Sequence, residues 1–351
     1  MNFSRVMALP AFVEIGRGLF PRLLELLEDH GLHHERIVVT SGPTFTASLG
    51  EDLHRRIQRS ARTSRYLQIQ NSTLSEVERL REALREIRAT LAIALGGGKV
   101  LDVTKYASYR ENALLVTVPT TPSNDGIASP VAVLEWEGTT HSMGTQMPTG
   151  VVLDLDLLER APLRNVRAGI GDVVANLLAV EDWRLAAEEG RDRFDAISAM
   201  MAATGAEHLL LYDPSEPRSP AFLQRLLHAL VLSGIAMGLS GSSRPCSGAE
   251  HEISHALDRL FPGLALHGEQ VALATVFSAY LRQHPLAPKI RDFLRRAGLP
   301  TRLDQLRLTE AQFLEAVALA PETRPARYTL LEHLKPTPEE IRAVLRQAGM
   351  V

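Results

Sequence analysis

The sequence predicts an N-terminal α/β domain built on a mostly parallel sheet, followed by an all-helical C-terminal domain. Three observations carry this. Apolar runs bounded by turn residues alternate with helical stretches through roughly the first 160 residues, the pattern of strands buried on both faces and joined by crossover helices. One of those runs ends in three consecutive glycines. Beyond residue 165 no strand-like alternation persists, and long apolar helical runs take over.

Taken in order, RIVVTSG (36–42) reads as a buried strand ending in a Ser-Gly-Pro turn, with a helical stretch through LGEDLHRRI after it. SRYLQIQN is a second strand. TLSEVERLREALREI is an amphipathic helix, with Ser75 as its expected cap. LAIALGGG (91–98) is an apolar strand running into the glycines, and VLDVTKYASY follows as helix. ALLVTVPTTPSNDG is another buried strand with a polar loop. The last strand-like segment lies within THSMGTQMPTGVVLDLDLLERAP (140–162), and from Gly169 the pattern is helical, as in GDVVANLLAVEDWRLAAEEG and RLLHALVLSGIAMGLSG. The boundary is therefore expected between 155 and 165, giving domains 1–160 and 161–351.

Composition narrows the function classes. With 351 residues, 45% hydrophobic and 23% charged, the chain can bury a sizeable core in each of two domains. A net charge of −3 and a pI near 6.5 leave no basic footprint for nucleic acid or an anionic membrane. The single cysteine, Cys246, excludes an intramolecular disulfide framework and fits a reducing compartment such as the cytoplasm. MNFSRVMALPAFVEIG lacks the apolar core of a signal peptide. No uncharged apolar run reaches the ~18 residues of a membrane span. A cytoplasmic two-domain enzyme or binding protein for a small molecule is the expectation.

Two motifs offer chemistry. Strand, Gly96-Gly97-Gly98, helix is the geometry that presents backbone N–H groups to a phosphate at a helix N-terminus. It fits neither G-x-x-x-x-G-K-[ST], because Val100 follows Lys99, nor G-x-G-x-x-G, because Leu101 stands at the last glycine. The same glycines also suit a plain turn in an α/β sheet. Asp102 and Lys105 just downstream favour a ligand, as does a polar turn, Thr120 to Gly126, after the next strand. The second motif, HEISH (251–255), matches H-E-x-x-H, in which two His one helical turn apart bind Zn²⁺ and the Glu activates water. The longer metzincin form fails, since Asp258 and Phe261 occupy its Gly and third His. Glu269, beside His267, is an available third ligand, and Asp172 after a Gly also suits a helix cap.

GGGKVLDVTK, PTTPSNDGIASP, GIGDVVANLLAVEDWRLA, SGIAMGLSGSSRPCSGAEHEISHALD, LHGEQVA and RPARYTLLEHL, in that order, resemble the archaeal type of sn-glycerol-1-phosphate dehydrogenase. That family belongs to the iron-containing alcohol dehydrogenase and dehydroquinate synthase-like superfamily. The resemblance runs from about residue 90 to the C-terminus and is weaker before it. GGGK with D-x-x-K and HGE is the broad superfamily signal; SNDGIASP, SSRPCSGAEH and RPARYT are more specific. Two departures are Asn124, where archaeal members commonly have His, and ALAT after HGEQV, where a glycine is usual.

The resemblance implies a dehydroquinate synthase-like fold with a catalytic metal in the cleft between the domains. It implies reversible reduction of dihydroxyacetone phosphate to sn-glycerol 1-phosphate by NADH or NADPH. Carried over, the metal ligands are Asp172, His251 and His267, so the HEISH motif contributes only its first residue to the metal. His255 and Asp125 match catalytic, substrate-contacting positions, and Asp172 also faces substrate. Gly97, Gly98, Lys99, Val100, Leu101 and Asp102, with Thr120, Thr121, Pro122, Ser123 and Ser129, match dinucleotide contacts. An Asp and two His leave open positions for Lewis-acid chemistry and suit Zn²⁺, with Fe²⁺ or Ni²⁺ as alternatives.

Residue chemistry adds the rest. Glu252 lies on a different helix face from His251 and is demoted to structure, whereas His255, one turn on, shares that face. Arg244 and the Arg324/Arg327/Tyr328 group are candidates for the substrate phosphate, because Arg presents a bidentate fork. The expected partners are a phosphorylated small molecule and further copies of the chain, with no nucleic acid. Glycerol dehydrogenase and a dehydroquinate synthase-like cyclase are the rival activities.

Overall fold

Leu91–Gly96 has no exposed residue, and a strand with neither face wet lies inside a sheet covered on both sides. In the computed structural model, which describes residues 9–32 and 35–351, the chain forms two compact units, Met1–Pro162 and Leu163–Val351. Residues 1–8 of the N-terminal stretch assessed for a signal peptide lie outside the described residues.

The first unit runs β1 (Phe12–Gly16), α1 (Leu23–Asp29), β2 (Arg36–Ser41), α2 (Phe45–Ile57), β3 (Thr63–Gln68), α3 (Leu74–Glu86), β4 (Leu91–Gly96), α4 (Gly98–Glu111) and β5 (Leu114–Pro119). It continues with β6 (Val131–Trp136), β7 (Thr139–Gly144), β8 (Gly150–Asp154) and α5 (Leu155–Leu158). Six strands pair in the order β1-β8-β5-β4-β2-β3, every pairing parallel. The central strands β4, β5 and β8 are the apolar runs, while the edge strand β3 is half-buried throughout most of its length. Leu27, Ile37, Val39, Leu53, Ile93, Val116 and Val118 close the core on one face.

Two details differ from the sequence reading. Thr73, not Ser75, caps α3: its Oγ1 accepts from the Glu76 N–H at 3.5 Å, so the first turn begins two residues earlier. Between β5 and β8 stands an antiparallel hairpin, β6–β7, that the sequence reading did not separate. Its second strand is exposed along nearly its whole length and so carries no alternation to detect.

The second unit is helical: α6 (Leu163–Glu188), α7 (Ala196–Leu209), α8 (Pro220–Ser240), α9 (Ala249–Leu260), α10 (His267–Leu281), α11 (Ala287–Arg296), α12 (Glu310–Thr323), α13 (Leu330–Leu334) and α14 (Pro338–Gln347). Helix α6 begins at Leu163, ahead of the Gly169 expected. It is buried without interruption from Ala168 to Val180, which makes it the central rod of the unit. Helix α8 is long and apolar enough to cross a membrane by length and composition. Instead 67% of its most apolar 18-residue window is buried, against α6 and α7 among others.

Helices α6 and α10 meet backbone to backbone. A Cβ at Gly171 would overlap the carbonyl oxygen of Gly268, and one at Gly268 would overlap the carbonyl of Ala168. Asp182 on α6 fixes two further segments: it accepts the N–H of Ala249 at 2.7 Å and of Leu330 at 3.0 Å, and pairs with Arg282. The starts of α9 and α13 are thereby tied to the same rod.

Candidate metal centre and dinucleotide turn

The close crossing of α6 and α10 places Asp172 and His267, each next to a contact glycine, on facing helices. His251 comes from the first turn of α9. One ligand atom from each of Asp172, His251 and His267 lies within 4.8 Å of the others. The Nε2 atoms of His251 and His267 stand 3.6 and 3.7 Å from Asp172 Oδ1.

What orients the two rings is a set of groups that the sequence reading missed. Glu250, fully buried, bonds His251 Nδ1 at 2.8 Å and is itself held by the Gly248 N–H at 2.7 Å. Ser254 Oγ lies 3.2 Å from His267 Nδ1 and donates to Gln270 Oε1 at 2.8 Å, and Gln270 in turn donates to Asp258. With each Nδ1 occupied, each Nε2 is turned to Asp172. This is the outer-shell arrangement that fixes tautomer and ring direction in metal sites. The only sequence signal for it was a carboxylate immediately before His251, and its role depends on the turn at Gly248.

The protonation pattern fits a cation site. Burial pushes His251 down, but bonds and charge from Asp172 and Glu250 outweigh it and raise the imidazole to about 9. Burial and the neighbouring His251 push His267 down to about 4. One imidazole thus takes a proton to balance two carboxylates, a role a divalent cation fills while using both rings neutral. Donor types, spacing and oriented lone pairs all suit a divalent ion.

His255 lies one turn beyond His251, with its ring centroid 6.1 Å from that of His267. Burial, with the positive charge of Arg324 beside it, holds it well below the usual imidazole range. Its Nε2 is buried with no hydrogen-bond partner among the described residues. Glu252 is fully buried and faces away from the trio, accepting from Thr329 Oγ1 at 2.9 Å. Burial and the nearby Glu332 raise its carboxyl to about 9. Held by Thr329 rather than aimed at the trio, Glu252 is not placed as the water-activating base that the H-E-x-x-H motif requires. Arg244 is buried, and its Nε and Nη1 are held by Asp192 at 2.6 Å and the Tyr328 carbonyl at 2.8 Å.

In the first unit, the two turns named from sequence lie side by side. Gly96 pairs with Pro119 across β4 and β5, and the Thr120 N–H donates to the Gly96 carbonyl at 3.0 Å. Gly97 caps α4, and a Cβ there would come 3.1 Å from Thr121 Oγ1. Gly98 has nothing within 4 Å of where a Cβ would sit, so ligand atoms can approach the α4 N-terminus closely. Lys99, Val100 and Leu101 form the first turn of α4 behind it. Thr120, Pro122 and Ser129 are buried, while Ser123 is half-buried.

Lys105, fully buried, shapes this loop. Its ammonium donates to the carbonyls of Gly126 at 2.8 Å and Val131 at 2.7 Å and lies 3.5 Å from Asp102. Asn124 accepts from the Gly126 N–H at 3.0 Å and so starts the short turn holding Asp125. Asn124, which stands where archaeal members commonly have His, therefore has a structural task of its own.

Comparison with known proteins agrees with this architecture. Residues 14–162 match the iron-containing alcohol dehydrogenase family. A glycerol-1-phosphate dehydrogenase of Hyperthermus butylicus, NAD(P)+-linked, is 36% identical over 344 residues, 98% of each chain. One from Metallosphaera sedula is 33% identical over 350 residues, 99% of each. Among solved structures, glycerol dehydrogenase from Schizosaccharomyces pombe superposes with a TM-score of 0.81, at 21% identity, covering 99% of this chain and 91% of that one. At that identity the likeness speaks for the fold.

Proposed function

The chain belongs to the NAD(P)-linked glycerol-1-phosphate dehydrogenase family, and from that membership we infer that it reduces dihydroxyacetone phosphate reversibly to sn-glycerol 1-phosphate, with NADH or NADPH as hydride source. The observation that carries the reading is the Asp172/His251/His267 trio, with both rings oriented toward one point.

A divalent ion held by these three residues, Zn²⁺ with Fe²⁺ or Ni²⁺ as alternatives, supplies Lewis acidity to the substrate carbonyl, and the nicotinamide supplies the hydride. The protein's own contributions are positional and electrostatic. Glu250 and Ser254 keep the His251 and His267 lone pairs aimed together, so no reorganisation is needed when substrate arrives. His255, neutral and with an unoccupied buried nitrogen, hydrogen-bonds the substrate oxygen, and the proton that this oxygen takes up on reduction comes from solvent, so His255 is neutral before and after. Asp125 is assigned to substrate from the family pattern. The paired turns Gly97–Asp102 and Thr120–Ser123, with Ser129, bind the dinucleotide: α4 directs backbone N–H groups at the diphosphate, and Lys105 holds the second turn in shape. A single, buried cysteine is in keeping with a cytoplasmic enzyme.

The test is steady NAD(P)H consumption by the Zn²⁺-loaded protein with dihydroxyacetone phosphate, beside dihydroxyacetone and a seven-carbon sugar-acid phosphate. Sustained turnover of dihydroxyacetone phosphate alone is expected. Preference for the unphosphorylated ketone would make it a glycerol dehydrogenase, and cyclisation without net oxidation would make it a synthase.

A further inference from the structure

Helix α9, which supplies His251, begins without a cap of its own. Gly248 stands at the cap position and has no side chain to offer the first turn. Two carboxylates take its place. Glu250 folds back to accept the Gly248 N–H at 2.7 Å, and Asp182 reaches across from α6 to accept the Ala249 N–H at 2.7 Å. A carboxylate at this end of a helix also meets the positive end of its dipole. Only glycine permits the approach. A Cβ at Gly248 would fall 2.5 Å from Asp182 Oδ2 and 3.0 Å from the Ala179 Cα.

Asp182 has further attachments. Its Oδ1 accepts the Leu330 N–H at 3.0 Å and pairs with Arg282, the residue just past the end of α10. The carboxylate is fully buried, where removing one partner of an ion pair is costly. Asp172, His251 and His267 stand on α6, α9 and α10. One side chain therefore joins all three ligand-bearing helices. It lies nearly three turns beyond Asp172, about 15 Å along the axis, too far to join it at an ion.

We propose that Asp182 is a positioning residue for the metal centre. By capping α9 from α6 and holding the end of α10, it sets where His251 and its partner Glu250 stand relative to Asp172 and His267. The role rests on reading the trio as a metal site. It acts through the backbone of Ala249, two residues before His251. Metal–ligand distances tolerate about 0.2 Å, so a small shift of this turn is felt at the ion. Loss of the cap should weaken binding on the scale of a lost orienting partner, about 10–100-fold.

The experiment compares wild type with Asp182→Ala, Asp182→Asn, Gly248→Ala and a control, Leu223→Ala, at a buried position of α8, which packs on α7. Each protein is checked for a cooperative thermal transition without metal. Two readouts are taken: Zn²⁺ affinity by competition with a chromogenic chelator, and the visible ligand-field spectrum of the Co²⁺-loaded protein. Asp182→Ala and Gly248→Ala are expected to bind Zn²⁺ about 10–100-fold more weakly, with altered Co²⁺ bands. Asp182→Asn keeps one acceptor oxygen but not the charge for Arg282, and should recover part of the loss. Leu223→Ala should unfold at lower temperature with wild-type affinity and bands. Folded Asp182 variants that lose stability yet keep wild-type affinity and bands would overturn the role, as would an equal loss of affinity in the control. If neither Asp182 variant folds, Gly248→Ala decides by the same criterion. A wild type that binds neither ion would refute the metal site itself, and this role with it.

Discussion

Adding one methyl group at Gly171 should cost the protein its metal. The Cβ of an alanine there would fall inside the Gly268 carbonyl oxygen and 3.0 Å from the Ala272 Cβ, with backbone rather than a flexible side chain as the main obstacle. Restoring an ordinary non-bonded separation of about 3.5 Å requires α6 and α10 to part by on the order of 1 Å. Overpacking of this kind costs about 1–3 kcal/mol. The functional penalty is larger, because Asp172 follows Gly171 and His267 precedes Gly268. Metal–ligand distances tolerate about 0.2 Å, so a displacement several times that size should lower affinity at least as much as loss of an orienting partner, about 10–100-fold. The assay is Zn²⁺ affinity by competition with a chromogenic chelator, alongside thermal unfolding of the metal-free protein. Gly205→Ala is the control: its Cβ would meet Ala229 at an ordinary 3.4 Å, so helix propensity should leave it neutral or more stable by up to about 1 kcal/mol. Unchanged Zn²⁺ affinity in folded Gly171→Ala would refute the reasoning.

Further outcomes follow from the same geometry. Alanine at Asp172, His251 or His267 should abolish turnover and bound metal, while Glu252→Gln keeps both, because glutamine mimics the neutral carboxyl already present. The pH dependence isolates that carboxyl. Its folded value of about 9 lies above the ordinary 4.5, so its contribution to stability is complete below 4.5 and disappears as pH rises through 9. Unfolding temperatures at pH 5, 7 and 9 should therefore show wild type losing ground to Glu252→Gln as pH rises; parallel profiles would show the carboxyl ionised when folded. Glu250→Gln should weaken Zn²⁺ binding about 10–100-fold with little change in KM for cofactor, since it acts through His251; equal affinities would leave Glu250 no orienting role. No acid follows β2, which ends at Ser41 with Gly42 next in the chain, so NADPH should be used within about a hundredfold of NADH in kcat/KM, or roughly 2.7 kcal/mol. A larger preference for NADH would mean that some other residue excludes the 2′-phosphate.

Where burial is two-sided, the fold was legible from apolar runs alone: β2, β4 and β5 stand where RIVVTS, LAIALG and LLVTVP do. Pairing order was not legible, because β8 enters between β1 and β5 by contacts far apart in the chain. The hairpin strand β7 was hidden by its exposure, and the α3 cap by which of two nearby hydroxyls meets the Glu76 N–H. At the site, the resemblance supplied three residues that the structure gathers within 4.8 Å. It could not supply Glu250, Ser254 or Gln270, whose roles exist only once α9 and α10 pack together. Arg244 illustrates the reverse case. An arginine in a suggestive loop says nothing about whether a carboxylate such as Asp192 has already claimed it.

The handedness of the product tests the central claim most directly. Dihydroxyacetone phosphate is prochiral, so the face turned to the hydride donor decides whether the 1-phosphate or the 3-phosphate forms. Zn²⁺-loaded protein, dihydroxyacetone phosphate and NADH are incubated to completion, and the product is offered to a dehydrogenase strict for sn-glycerol 3-phosphate. The account predicts stoichiometric NADH loss in the first step and no oxidation in the second. Efficient oxidation of the product by that second enzyme would contradict it.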